Sequence, residues 1–153
     1  MKVYLMRHGE AAAKQGDSEP ALTLHGERQA DETARVLARK GARVDVIYHS
    51  GKRRARETAQ LVASKLDPKL GTEAREGLCP DDSIFELAEQ IENMNEPALF
   101  VSHLPLLDQV AGLLVEGNAG ATVVGFATGE VACLEKTAHG EWQVAWKHRP
   151  KSG

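Results

Sequence analysis

The sequence predicts an α/β protein, a three-layer α/β/α sandwich around a mostly parallel but mixed sheet, ending in antiparallel hairpins. Three observations predict it. Short apolar runs alternate with helix-period segments through residue 116, the order that builds parallel sheets with crossover helices. The run from Ala98 to Ser102 is apolar up to its last residue, as a strand buried on both faces requires. After residue 121, β-rich segments separated by Thr128-Gly129 and His139-Gly140 replace the helices and read as hairpins.

The elements follow in order. Residues 2–6 are an apolar strand that stops abruptly at Arg7-His8-Gly9. Residues 9–22 hold Gly, Asp, Ser and Pro and read as a loop. Residues 23–40 read as a helix: Thr23 can cap it, Leu24, Ala34, Leu37 and Ala38 give an apolar face, and Gly41 follows the last turn. Val44 to Tyr48 is a second strand. Residues 52–66 form a second helix through Ala55, Ala59, Leu61, Val62 and Leu66, with Pro68 just beyond. A short strand is expected near 72–75. Ser83-Ile84-Phe85-Glu86 matches a capping box and starts a third helix that ends near Asn93. Residues 105–116 form an apolar helix with Pro105 in its first turn. Residues 122–127, 130–136 and 141–147 are expected to be strands of two hairpins.

The length of 153 residues favours one domain spanning 1–153. A net charge of −3 gives no global attraction to nucleic acid or membrane, so any affinity for an anion must be local. No apolar stretch approaches the ~20 residues that span a bilayer, and the apolar start is too short for a signal-peptide core. Cys79 and Cys133 form no C-x-x-C pair. The expectation is a reduced, cytoplasmic protein.

Three polar clusters sit at equivalent places. Arg7-His8 follows the first strand, His49 to Arg54 follows the second, and Ser102-His103 ends the strand at 98–102. Open parallel sheets bind ligands outside the carboxyl ends of their strands. If these strands are neighbours, Arg7, His8, Arg54 and His103 meet at one edge. Lys52, Arg53, Arg54 and Arg56 also crowd the start of a helix, where the macrodipole is already positive. Each cation there costs about 0.3–1 kcal/mol, unless a bound anion reverses the sign. For Lys52 and Arg53 a solvated basic face is the simpler reading.

These segments carry a family resemblance. Met6-Arg7-His8-Gly9-Glu10-Ala11 resembles an R-H-G signature, and Leu22-Thr23 with Gly26 an L-T-x-x-G segment. Ser50 to Thr58 resembles S-P-x-x-R-A-x-x-T, and Ser102-His103-Leu104-Pro105 an S-H-L-P segment. Taken in order, each at a β-α junction, they are similar to the histidine phosphatase (phosphoglycerate mutase-like) superfamily, in particular to its SixA-type phosphohistidine phosphatases. One departure is Gly51 in place of the usual proline, which permits the turn without pre-setting φ.

The resemblance implies that His8 is a nucleophile forming a phosphohistidine intermediate. It implies that Arg7, Arg54 and His103 bind phosphoryl oxygens, with Ser102 and Gly9 at the substrate. Arginines supply fixed charge and forked donors, and phosphoryl transfer needs mainly positioning and charge stabilisation. They also disfavour protonation of His8 and keep a lone pair free. His103 can add a third cationic donor when phosphate is bound. Gly9 lets the chain pass close to a phosphate. No cofactor or metal is implied, and inorganic phosphate or sulfate would fit the same pocket.

For substrate, the segment between Thr58 and Ser102 leaves little room for an inserted lid. An open site suits a phosphorylated protein side chain, and the resemblance points to phosphohistidine on a phosphotransfer domain or phosphocarrier. A small phosphate ester is the alternative, and a non-catalytic phosphate- or phosphoprotein-binding module the second. Imidazole leaves phosphorus readily, so a strong general acid is less necessary than for an alkoxide. Asp81 and Asp82 are the candidates for that acid. A mutase is disfavoured because it needs an enclosed site. A metal site built from His8, His49 and His103 is disfavoured by Arg7 and by the absence of metal-ligand spacing. Neither Cys-x₅-Arg nor a P-loop motif occurs. Glu10 receives no role.

Overall fold

The structure is a computed structural model that describes residues 1–14, 16 and 19–151. Residues 15, 17 and 18 of the loop expected at 9–22, and the last two residues of the chain, lie outside the described residues. The elements are β1 (Lys2–Arg7), α1 (Leu24–Arg39), β2 (Val46–His49), α2 (Arg53–Leu66), β3 (Thr72–Ala74), α3 (Ile84–Glu92), β4 (Ala98–Ser102), α4 (Leu106–Glu116), β5 (Val131–Lys136) and β6 (Trp142–His148).

The strands form one six-stranded sheet in the order β3-β2-β4-β1-β5-β6. β1, β4, β2 and β3 run parallel, while β5 is antiparallel to β1 and to β6. Strand alternation then sorts the core into two layers. Tyr4, Met6, Ile47, Leu99 and Val101 face α1 and α2, meeting Ala30, Ala34, Leu37, Ala55, Ala59 and Val62. Val3, Leu5, Val46, Ala98 and Phe100 face α3 and α4, meeting Leu87, Ile91, Leu107 and Val110. β4 lies between β1 and β2, and every residue in it is buried, which explains its unbroken apolar sequence.

Caps set the helix starts. The Thr23 side chain accepts from Gly26 N–H at 3.0 Å and Ser83 from Glu86 N–H at 3.2 Å, each satisfying an N–H that the helix leaves unpaired. No helix among the described residues is long and apolar enough to cross a membrane.

One expectation is corrected. Residues 122–127 are not a strand, so the chain ends in one hairpin, β5–β6, rather than two. Both edges of β5 are already taken, by β1 and β6. The segment instead crosses beside the end of β1. Its backbone polar groups go to side chains: Phe126 N–H donates to Asp108 at 3.1 Å, and Phe126 C=O accepts from Arg7 at 3.1 Å. Val124 and Phe126 are buried, which is why their sequence reads like a strand.

Candidate active site

The condition left open by the sequence is met. β2, β4 and β1 are consecutive parallel neighbours, so their carboxyl ends lie along one edge. Arg7 pairs with Ser102, and Val101 pairs with both Met6 and His49. His8 N–H donates to Ser102 C=O at 3.2 Å, continuing the ladder one residue past β1.

Arg7, His8 and Arg54 line one cavity of about 360 Å³ together with Glu10, Ala11, Ala12, Pro20 and Thr128. His103 is buried next to His8, with ring centroids 4.9 Å apart. The four residues expected to meet do so.

The protonation of His8 follows from its contacts. Its Nδ1 lies 2.7 Å from Gly9 C=O. A carbonyl can only accept, so Nδ1 carries the proton and the Nε2 lone pair is free. Burial pushes the His8 pKa down to about 4; the Gly9 bond opposes this, and the charges of Arg54 and Arg7 reinforce it. The arginines thus act as expected, but desolvation is the larger cause. His103 is pushed down to about 3, chiefly by burial and then by His8, Arg54, Lys52 and Arg7. In the free protein both rings are neutral at pH 7. Burial also lowers the Arg7 pKa, against the pull of Asp108, but a guanidinium stays charged.

Two buried nitrogens here have no hydrogen-bond partner among the described residues: Arg7 Nε and His103 Nδ1. Buried polar groups are rarely left so.

Supporting contacts tie the strand ends together. Thr58 is fully buried; its hydroxyl accepts from Gly9 N–H at 3.0 Å and donates to Arg54 C=O at 2.8 Å. The nucleophile loop and the Arg54 turn of α2 are therefore joined through one side chain. Gln29 Oε1 accepts from Glu10 N–H at 2.9 Å. A buried Glu130 accepts from Ala127 N–H at 2.8 Å and from Arg149 at 3.2 Å, fixing the crossing segment behind Arg7.

A model of the histidine phosphatase superfamily (branch 1) matches residues 3–79, half of the chain. The chain belongs to the histidine phosphatase superfamily. That membership supports phosphatase activity. No curated protein matches the sequence. Among solved structures, the protein histidine phosphatase SixA complexed with tungstate superposes with a TM-score of 0.86 at 24% identity, covering 98% of this chain and 97% of its own. A protein from Agrobacterium tumefaciens assigned to the SixA phosphohistidine phosphatases gives 0.82 at 20% identity, covering 97% of each chain. A phosphoserine phosphatase from Entamoeba histolytica, in complex with 3-phosphoglyceric acid, gives 0.74 at 22%, covering 98% of each. At these identities the likeness is one of fold.

Within this histidine phosphatase fold, the remaining candidates are placed differently. Ser102 is fully buried and its hydroxyl donates to Leu78 C=O at 2.6 Å, so what it offers the site is its backbone carbonyl. Gly9 lacks a side chain for a packing reason: a Cβ there would lie 2.5 Å from Gly26 O. Asp82 caps its own turn, accepting from Cys79 N–H at 2.8 Å, and lines a second cavity of about 510 Å³ with Ser50, Cys79 and Glu86. Asp81 is exposed and lines neither cavity. Arg53 reaches Glu57 at 3.0 Å, as a surface ion pair. Glu10 lines the cavity with His8 and accepts from the Thr23 hydroxyl at 2.9 Å. Gly51 turns at φ 89°, a left-handed conformation that proline cannot adopt. Sequence reasoning assigned no role to Thr58, Gln29 or the Glu130–Arg149 pair. Only Thr58 left a signal, as the end of the segment begun by Ser50.

Proposed function

We propose that the protein is a metal-independent phosphatase that removes the phosphoryl group from phosphohistidine on a phosphotransfer or phosphocarrier protein. The observation that carries the reading is His8, neutral and with Nε2 unprotonated, in a cavity shared with Arg7 and Arg54. His8 Nε2 attacks phosphorus as the substrate's P–N bond breaks, and the departing imidazole takes up a proton. Water then attacks the phosphorylated His8, releasing inorganic phosphate and restoring the free ring. Arg7, Arg54 and His103 hold the phosphoryl oxygens through both steps.

A protein substrate is favoured by access. The segment 59–101 supplies the end of α2, β3, α3, most of β4 and the loops between them; the loop at 75–83 packs against Ser50 and Ser102, and none of the segment's residues lines the cavity that holds His8. Among the described residues no group of three His, Cys, Asp or Glu side chains is placed to hold a metal ion. The second reading, a small-molecule phosphomonoesterase, is favoured by the shared fold of the phosphoserine phosphatase.

The test is a side-by-side assay of phosphate release from phosphohistidine-bearing carrier proteins and from a panel of small phosphomonoesters, with and without excess EDTA. The expected result is preference for the carriers, activity retained in EDTA, and acid-labile phosphate trapped on His8. Preference for sugar phosphates supports the second reading. Binding without turnover or phosphorylated His8 leaves only a binding module.

A further inference from the structure

Among the described residues His103 makes a single side-chain hydrogen bond. Its Nε2 lies 2.7 Å from Ser50 Oγ, while its Nδ1 is buried without a partner among them. Ser50 Oγ also accepts the main-chain N–H of Lys52 at 3.3 Å. A serine hydroxyl has one proton to give and two lone pairs to offer. A neutral imidazole has one ring proton, and the bond made at one nitrogen sets the state of the other.

Two arrangements fit the 2.7 Å contact. In the first, Ser50 donates to a bare Nε2 and the ring proton sits on Nδ1. In the second, Nε2–H donates to Ser50. The serine proton then has no acceptor among the described residues, and Nδ1 presents a bare lone pair beside His8. The first arrangement uses the serine proton and leaves Nδ1–H, which has no partner among the described residues, to be offered to the phosphoryl group. The second sets a lone pair against an anion and gives it nothing.

We infer that Ser50 is a positioning residue: by donating to His103 Nε2 it fixes the tautomer in which Nδ1–H is offered to a phosphoryl oxygen. The role of that donor rests on the phosphatase reading; the tautomer itself does not. The backbone around Ser50 is built to hold it. Gly51 turns at φ 89° and gives its N–H to His49 Nδ1 at 3.0 Å. Cys79 Sγ lies 3.9 Å from Ser50 C=O on the other side. The site therefore has two rings in the same tautomer, His8 fixed by a carbonyl and His103 by a hydroxyl. One presents a lone pair at Nε2 and the other a proton at Nδ1.

The experiment reads the ring nitrogens of His103 by long-range ¹H–¹⁵N correlation in the free, folded protein at pH 7.5. The wild type is expected to show a protonated Nδ1 and a bare Nε2. Ser50→Ala should move the population toward Nε2–H and weaken binding of inorganic phosphate. It should lower kcat/KM for p-nitrophenyl phosphate about 10-fold, less than the ~10²–10³ for losing an oxyanion donor outright. Ser50→Thr, which keeps the hydroxyl, should restore all three. A wild-type His103 protonated at Nε2 overturns the inference, as does a folded Ser50→Ala whose tautomer is unchanged. If Ser50→Ala fails to fold, the wild-type tautomer decides alone. A protein with Nδ1–H on His103 and no turnover of any phosphate would sink the phosphatase reading while leaving the Ser50 assignment standing.

Discussion

Gly26 sits so close beneath Glu10 that a Cβ built on it would lie 2.0 Å from the Glu10 carbonyl oxygen. The contact is backbone against backbone, between the first turn of α1 and the loop that carries His8. On the loop side, any shift that relieves this contact moves the segment that carries His8. Gly26→Ala is therefore expected to destabilise the fold by about 1–3 kcal/mol or more, as overpacking does. It should also lower turnover, because the His8 loop must shift. Thermal melts with parallel phosphatase assays check this. An alanine variant with wild-type stability and rate would show that the loop is not wedged against α1.

Arg54 works against the helix that carries it. α2 has no acidic residue in its first turn, and its Lys52 N-cap makes no side-chain cap bond. Among the described residues Lys52, Arg54 and Arg56 make no ion pair. Arg54→Ala should lower kcat/KM by about 10²–10³, the scale of a lost charge-stabilising donor. It should leave stability unchanged or raise it by about 0.3–1 kcal/mol, since a cation leaves the positive end of a helix. Steady-state kinetics and urea unfolding test the two halves separately. Loss of rate together with loss of stability would make Arg54 a structural residue.

What the sequence made legible was local. The Thr23 cap, the Ser83 cap and the unbroken apolar run of β4 each rest on a few neighbouring residues, and each matches its element to within a residue or so. Arg7, His8 and His103 were legible because each sits at or just past the end of a strand, where side chains turn from core to edge, and Arg54 because it lies in the first turn of the helix that follows β2. Residues 122–127 misled because burial of Val124 and Phe126 looks the same whether or not a strand neighbour is free. The link from Ser50 to His103 spans 53 residues and depends on β2 lying next to β4, an order that periodicity does not encode.

Stability should fall as the site histidines are forced to protonate. The folded pKa values of His8 and His103, about 4 and about 3, lie below the ordinary 6.5. Between those values the unfolded chain binds protons that the folded protein does not, so stability is full above about pH 6.5 and declines as pH falls from there. For His8 alone the loss is on the order of 3 kcal/mol by pH 4. Denaturant unfolding at several pH values between 7.5 and 4, compared with His8→Ala, isolates the effect. The variant should have the shallower profile. Equal slopes would mean that the buried ring titrates in the fold as it does in the unfolded chain.

Gly51 joins the departure from the family's usual proline to the placement of Ser50. At φ 89° an L-residue is strained, and the N–H of Gly51 is already committed to His49 Nδ1 at 3.0 Å. Gly51→Ala is expected to cost about 1–2 kcal/mol, the penalty for a side chain in left-handed backbone. Gly51→Pro should cost more, because proline fixes φ near −65° and removes the N–H. Either change should pull Ser50 from His103 and reduce turnover beyond what the stability loss explains at temperatures where the variant stays folded. Urea unfolding and phosphatase assays on both variants decide it. A Gly51→Pro protein as stable and active as the wild type would mean that this loop takes the proline-compatible course, and that Ser50 is held by something other than the turn at Gly51.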